Sequence, residues 1–185
     1  MKKILLSFFI LINISSCGSS SRRYEEGRSS KVLKIEHLED ILNLAEEEST
    51  EAGKRVLQTS RAMIANKEIV VGGCWNYINT VYDRVGFTMR QRETVYKSKL
   101  KGPYVSPKIV QPGDWLYFVN HTYSDSEHSA IFVAWTDKSK KEALMVSYVG
   151  ENHKKPAFYK KFILDNIYSV IRGREIKALE TAYSK

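Results

Sequence analysis

The apolar period of this chain changes once, and that change limits the folds open to it. Up to Gly86 apolar residues recur every three or four positions. Leu38, Ile41, Leu42 and Ala45 share one helical face, Val56, Leu57, Met63 and Ile64 another, and Tyr77, Ile78, Val81, Tyr82 and Val85 a third. Beyond Pro112-Gly113-Asp114 the pattern becomes runs of aromatic and β-branched residues at Trp115–Val119, Ser129–Trp135, Leu144–Val149 and Ile167–Ile171. The polar stretch Asp137 to Glu142 between two of these runs predicts an antiparallel hairpin. Helices first and antiparallel strands after define an α+β class.

Local signals refine this reading. Thr50 is suited to cap a helix starting at Glu51, dividing the helical stretch Val32–Lys67 in two. Gly72-Gly73 precedes a third helix from Cys74, which Gly86 ends. Thr88–Pro107 is expected to be partly helical and then looped, and Ala157–Phe162 to be a short helix.

The N-terminus reads as an export signal. Lys2 and Lys3 precede an apolar core, Ile4–Ile14, too short to span a bilayer comfortably, and Ser15-Ser16-Cys17 follows. This resembles a bacterial lipoprotein signal, in which Cys17 becomes the lipidated first residue of the mature chain. That implies a membrane-anchored protein of the cell envelope, on the periplasmic side or outer surface. The expected organisation is a signal peptide 1–16, a flexible Ser/Arg/Gly-rich tether 17–31, a helical extension 32–68, a main domain 69–176 and a tail 177–185. With Lys2 and Lys3 gone, the formal charge of +8 becomes +6, modest enough to reflect solubility or an acidic envelope polymer. No zinc-ligand spacing, phosphate loop or RNA-binding signature occurs, so neither a metal, a cofactor nor a nucleic-acid partner is expected.

The chain has two cysteines; setting Cys17 aside leaves Cys74 alone, without an intramolecular disulfide partner. A free thiol retained in an oxidising compartment is either buried or useful. Cys74 opens a helix after two glycines, where helix dipoles favour a thiolate, the glycines allow close approach to the backbone, and its own N–H is an oxyanion donor. His128 opens an apolar strand and is a candidate base. The plainer alternatives are a small buried hydrophobe for Cys74, a strand-end surface residue for His128 and an ordinary turn for Pro112-Gly113-Asp114. Trp75, Tyr77 and Tyr82 are expected to be packing residues. The polar loop Asn120–Glu127, with His121, Thr122, Tyr123 and Asp125, is a candidate cleft wall.

Gly-Cys-Trp-Asn-Tyr-Ile at 73–78, Gln-Pro-Gly-Asp-Trp-Leu-Tyr-Phe at 111–118 and His-Ser-Ala-Ile-Phe-Val at 128–133 together resemble the NlpC-type and CHAP-type cell-wall peptidases and amidases. The resemblance spans Ile69 to Arg172. It implies a papain-like fold in which a nucleophile helix packs on an antiparallel sheet, with the N-terminal helices outside it. It further implies Cys74 as nucleophile, His128 as base and a third polar residue on or just after the following strand. Ser147 is the first choice there, with Glu151 and Asn152 as competitors. NlpC-type members usually carry Asp-Cys-Ser where this chain has Gly73-Cys74-Trp75, whereas the Cys-x-x-Tyr-Ile spacing is closer to the CHAP pattern, so the scissile bond is left open. The implied activity is hydrolysis of a peptidoglycan amide without metal or organic cofactor. The alternatives are an inactive binding lipoprotein on the same scaffold and, more weakly, acyl transfer to a lipid or amine.

Overall fold

In the computed structural model, residues 37–121 and 125–175 are described. The expected leader, Cys17, the tether, the first residues of the helix from Val32, Thr122 and Tyr123, and the tail 177–185 lie outside the described residues. Among those described, no helix is long and apolar enough to cross a membrane.

Two helices come first: α1, residues 37–48, and α2, Glu51–Ala65. Thr50 divides them, its Oγ1 accepting the Gly53 N–H at 3.2 Å. Leu42 and Ala45 of α1 and Val56, Leu57 and Met63 of α2 are buried. Arg61 ties the two helices together by reaching Glu39, Asn43 and Glu46. These helices lie outside the stretch of family resemblance, yet α2 is built into the same compact unit as the sheet. Gly53 lies against the turn at Pro112-Gly113: a Cβ on Gly53 would sit 2.3 Å from the Pro112 carbonyl oxygen, and one on Gly113 2.5 Å from the Gly53 Cα. Arg55 of α2 also donates to the Val85 carbonyl and pairs with Glu175 at 2.9 Å.

Helix α3, Cys74–Val85, buries Tyr77, Ile78, Val81, Tyr82 and Val85, and ends at Gly86, whose φ of 90° is the left-handed conformation of a helix terminator. Six strands follow: β1 Arg92–Lys97, β2 Trp115–Asn120, β3 Ser126–Asp137, β4 Glu142–Ser147, β5 Phe158–Ile163 and β6 Ile167–Gly173. They form one sheet in the order β1-β6-β2-β3-β4-β5, antiparallel throughout. The fold is α+β.

The sheet is strongly curled. Phe118 on β2 and Phe162 on β5 have two strands between them, which places their backbones roughly 14 Å apart in a flat sheet. Their ring centroids are 5.2 Å apart. Leu116, Phe118, Ala130, Phe132, Met145 and Phe162 fill the concave face, joined by Val105 and Val110 from the β1–β2 connection. The alternate residues of β2 face α3, with Trp115 packing on Tyr82 at 5.6 Å.

Two expectations are corrected. Ala157–Phe162 contains no helix, because Phe158–Ile163 pairs along the whole of β4. Nor is Thr88–Pro107 partly helical and then looped: after a single 3₁₀ turn at Met89–Gln91, Arg92–Lys97 is a strand paired with β6. Both strands are sheet edges, and their charged, weakly alternating sequences (Arg-Glu-Thr-Val-Tyr-Lys and Phe-Tyr-Lys-Lys-Phe-Ile) suit an edge that must resist further pairing. The strand expected over Leu144–Val149 ends at Ser147.

The Pro112-Gly113-Asp114 motif is more than a turn. Asp114, 1% exposed, takes two hydrogen bonds from Arg172, from Nε and from an Nη, each at 2.7 Å. Its Oδ2 also accepts the Gln111 N–H at 2.8 Å. Burial raises the Asp114 pKa, and the Arg172 guanidinium opposes that shift. The pair locks the start of β2 to the end of β6 beneath α3.

Candidate active site

Cys74 owes its position to the chain on either side of α3. Gly72 has φ 102°, and a Cβ there would lie 2.3 Å from Asn76 Oδ1, so the turn into the helix demands glycine. Asn76 Oδ1 accepts the Gly73 N–H at 3.0 Å, capping the helix from within its first turn. Cys74 therefore begins α3 with its own N–H lacking an intrahelical acceptor and the positive end of the helix dipole beside its sulfur.

The segment entering α3 is fastened to the segment leaving β4. Tyr148 stacks on Tyr77 at 4.8 Å and donates its hydroxyl to the Val70 carbonyl at 2.7 Å. The Glu151 N–H donates to the Gly72 carbonyl at 3.0 Å. Through these contacts the residue at the end of β4, Ser147, is held near the start of α3.

His128 on β3 completes the group. Its Nε2 lies 3.0 Å from Ser147 Oγ, and its ring stands edge-on to Phe118 at 5.5 Å and against Phe162 at 5.6 Å. With Nε2 engaged by Ser147, Nδ1 is the nitrogen left for Cys74. Burial pushes the Cys74 thiol pKa up, but the His128 side chain, the Ser129 side chain and the Ser129 backbone outweigh it and bring the thiol down to about 6. The Ser129 hydroxyl completes no hydrogen bond of ordinary geometry among the described residues, although it lines the same cleft as Cys74. Glu151 and Asn152 lie in the 3₁₀ turn Glu151–His153, and among the described residues neither bonds to His128.

Cys74, His128 and Ser129 line a cleft of about 520 Å³. Its walls include Trp75, Tyr117, Tyr168 and Glu127, and β1 contributes Thr94 and Lys97. Tyr77 and Tyr82 are fully buried, as packing residues are, whereas Trp75 is 48% exposed and forms cleft wall. Burial pushes the Tyr117 hydroxyl up to about 12, opposed by a hydrogen bond with Trp75. The Tyr168 hydroxyl donates to Glu127 at 3.2 Å. The stretch expected as a loop, Asn120–Glu127, has its two ends in β2 and β3. Glu127, on β3, lines this cleft, while His121 pairs with Asp125 at 2.6 Å and lines a different one. Among the described residues no three His, Cys, Asp or Glu side chains converge as a metal site.

Sequence reasoning missed Ser129, Tyr117, Tyr168 and the β1 residues. Ser129 and Tyr117 follow from strand pairing, being directly opposite one another, whereas Tyr168 joins them at the irregularity in the β2–β6 pairing between Tyr117 and Phe118, which no sequence pattern announces. Thr94 and Lys97 are out of reach of a reading in which Thr88–Pro107 is partly helical and then looped, since it contains no β1. No family model, curated protein or solved structure matches the chain.

Proposed function

We propose that the protein is a papain-like thiol hydrolase of the cell envelope that cleaves an amide bond of peptidoglycan. The observation that carries this reading is the cysteine itself: a half-buried thiol at a helix start, brought to a pKa of about 6 beside an imidazole whose far nitrogen is held by Ser147. A buried structural cysteine has its pKa raised, not lowered.

In the reaction, the Cys74 Sγ proton passes to His128 Nδ1 and the thiolate attacks the amide carbonyl carbon. A C–S bond forms and the carbonyl π electrons move to oxygen. Collapse of that intermediate breaks the C–N bond, and the leaving amine takes the proton from His128 Nδ1. Water then gives a proton to Nδ1 as its oxygen attacks the thioester. Collapse releases a carboxylic acid and the sulfur recovers its proton. Ser147 orients the ring throughout; being uncharged, it does little for the imidazolium that forms midway. The Cys74 N–H supplies one donor to the oxyanion.

The amide of a peptidoglycan stem suits an open cleft with aromatic walls and both a carboxylate and an ammonium group on its rim. A lipid on Cys17 and the tether 17–31 would keep the enzyme within reach of an insoluble polymer and raise its effective concentration. The test is digestion of purified sacculi by the wild type and by Cys74→Ala, with far-UV circular dichroism to establish that the variant is folded. Loss of soluble muropeptides in a folded variant supports the reading. Equal release by both overturns it. A wild-type protein that releases nothing and resists thiol labelling until denatured is instead a binding lipoprotein.

A further inference from the structure

The Ser129 hydroxyl is the feature of the cleft that the acyl-transfer scheme above does not use. Its residue is 3% exposed, and its Oγ has no hydrogen-bond partner among the described residues. Leaving a buried hydroxyl unpaired costs stability, so an orphan of this kind calls for an explanation. Its neighbours on the same face of β3, Ile131 and Val133, are apolar, and an alanine at 129 would avoid the penalty. The hydroxyl also lines the same cleft as Cys74 and stands beside the sulfur.

We propose that Ser129 Oγ is a donor that follows the negative charge: it holds the Cys74 sulfur anion before attack and the carbonyl oxygen anion after it. Charge leaves the sulfur as the C–S bond forms and appears on an oxygen one bond beyond the attacked carbon. A hydroxyl rotor can track that displacement, because its hydrogen swings about the Cβ–Oγ bond without moving the backbone. With the Cys74 N–H it forms a two-donor oxyanion hole, contributed by α3 and β3 together. No bond to Ser129 is made or broken, so the proton count of the cycle is unchanged. This inference rests on the hydrolase reading for its second half, whereas the sulfur contact stands independently of substrate.

Three measurements on Ser129→Ala and Ser129→Thr test it. Thermal unfolding comes first, at pH 5, below the thiol midpoint of about 6 so that the sulfur carries its proton. Without an anion to hold, the orphan hydroxyl contributes nothing to the fold, so Ser129→Ala is expected to melt at or above the wild-type temperature. A clear loss at that pH would overturn the reading of Ser129 as a group kept for the anion. Next is the pH dependence of Cys74 alkylation by iodoacetamide, whose midpoint should move upward in Ser129→Ala and return in Ser129→Thr. Last is muropeptide release from sacculi at pH 9, a pH chosen above both midpoints so that the thiolate is formed in each protein. There Ser129→Ala should still be slower by roughly 10²- to 10³-fold, the loss typical of one oxyanion donor. Equal rates at pH 9 overturn the oxyanion role, and an unmoved alkylation midpoint overturns the sulfur contact. If the wild type alkylates with a low midpoint but releases no muropeptide, the hydrolase reading fails, and the alkylation shift alone decides whether Ser129 holds the sulfur.

Discussion

His128 presents Nε2 to Ser147 Oγ at 3.0 Å, which leaves Nδ1 for the proton transfer proposed with Cys74. The ring is further wedged between Phe118 and Phe162, which the curl of the sheet brings together from non-adjacent strands. Removing the Ser147 hydroxyl leaves the wedge but frees the ring to choose its tautomer. Ser147→Ala is expected to slow muropeptide release by about tenfold to a hundredfold, less than the 10²–10⁴ that proton transfer itself supplies. Steady-state rates on sacculi check this, with the KM little changed.

The thiol has its own pH signature. The thiolate is the reactive form and its pKa is about 6. Alkylation of Cys74 should therefore rise with pH, reach half its maximum near pH 6 and level off above. Below that point it should fall about tenfold per pH unit. His128→Ala removes the strongest influence favouring the anion and should move the midpoint up toward the free-thiol value of about 8.5. A profile of iodoacetamide labelling by mass spectrometry, taken on the folded protein, measures both midpoints.

Asp114 and Arg172 make the opposite kind of pair, one whose chemistry is structural. Asp114 is almost wholly buried and accepts both guanidinium contacts, while Arg172 keeps an edge in solvent and donates to the Ile109 carbonyl at 2.9 Å. Asp114→Ala strips the compensation from a partly buried cation where β2 begins and β6 ends. A loss of roughly 3 kcal/mol is expected, as for removal of one member of a buried pair. Urea unfolding of the variant gives the value, and the Cys74 alkylation midpoint should be unmoved where the protein remains folded.

The parts of this fold that were legible in the sequence are those where local pattern and burial agree. Helix α3 is written in Tyr77, Ile78, Val81 and Tyr82 with glycines at either end, and the central strands are written in continuous apolar runs. The two edge strands were not legible, because their lysines and arginine answer to solvent and to the risk of further pairing and leave little alternation to read. For the site, Cys74 and His128 stood out at a helix start and a strand start, and the family resemblance added only that a third polar residue lies on or just after the next strand. It did not separate Ser147 from Glu151 and Asn152, since that depends on β4 ending at Ser147 and the chain turning at Gly150, φ 100°. Nor did it reveal Ser129, whose meaning lies in having no partner, a property of three-dimensional packing alone.

The contact between Gly53 and Gly113 decides whether the N-terminal helices are an accessory. Gly113 has φ 89°, and its backbone meets that of α2 so closely that neither position has room for a methyl group. Gly113→Ala therefore suffers twice, from a left-handed backbone that alanine resists and from collision with the Gly53 backbone. Gly53→Ala suffers only the collision, with the Pro112 carbonyl. We expect losses of about 3 kcal/mol or more for Gly113→Ala, with a smaller loss for Gly53→Ala. Because the same turn leads into Asp114 and β2, a protein truncated before residue 69 should lose cooperative unfolding altogether, since Val56, Leu57 and Met63 leave a buried apolar surface without cover. A truncated protein that melts cooperatively near the full-length temperature would show instead that α1 and α2 are a detachable cap.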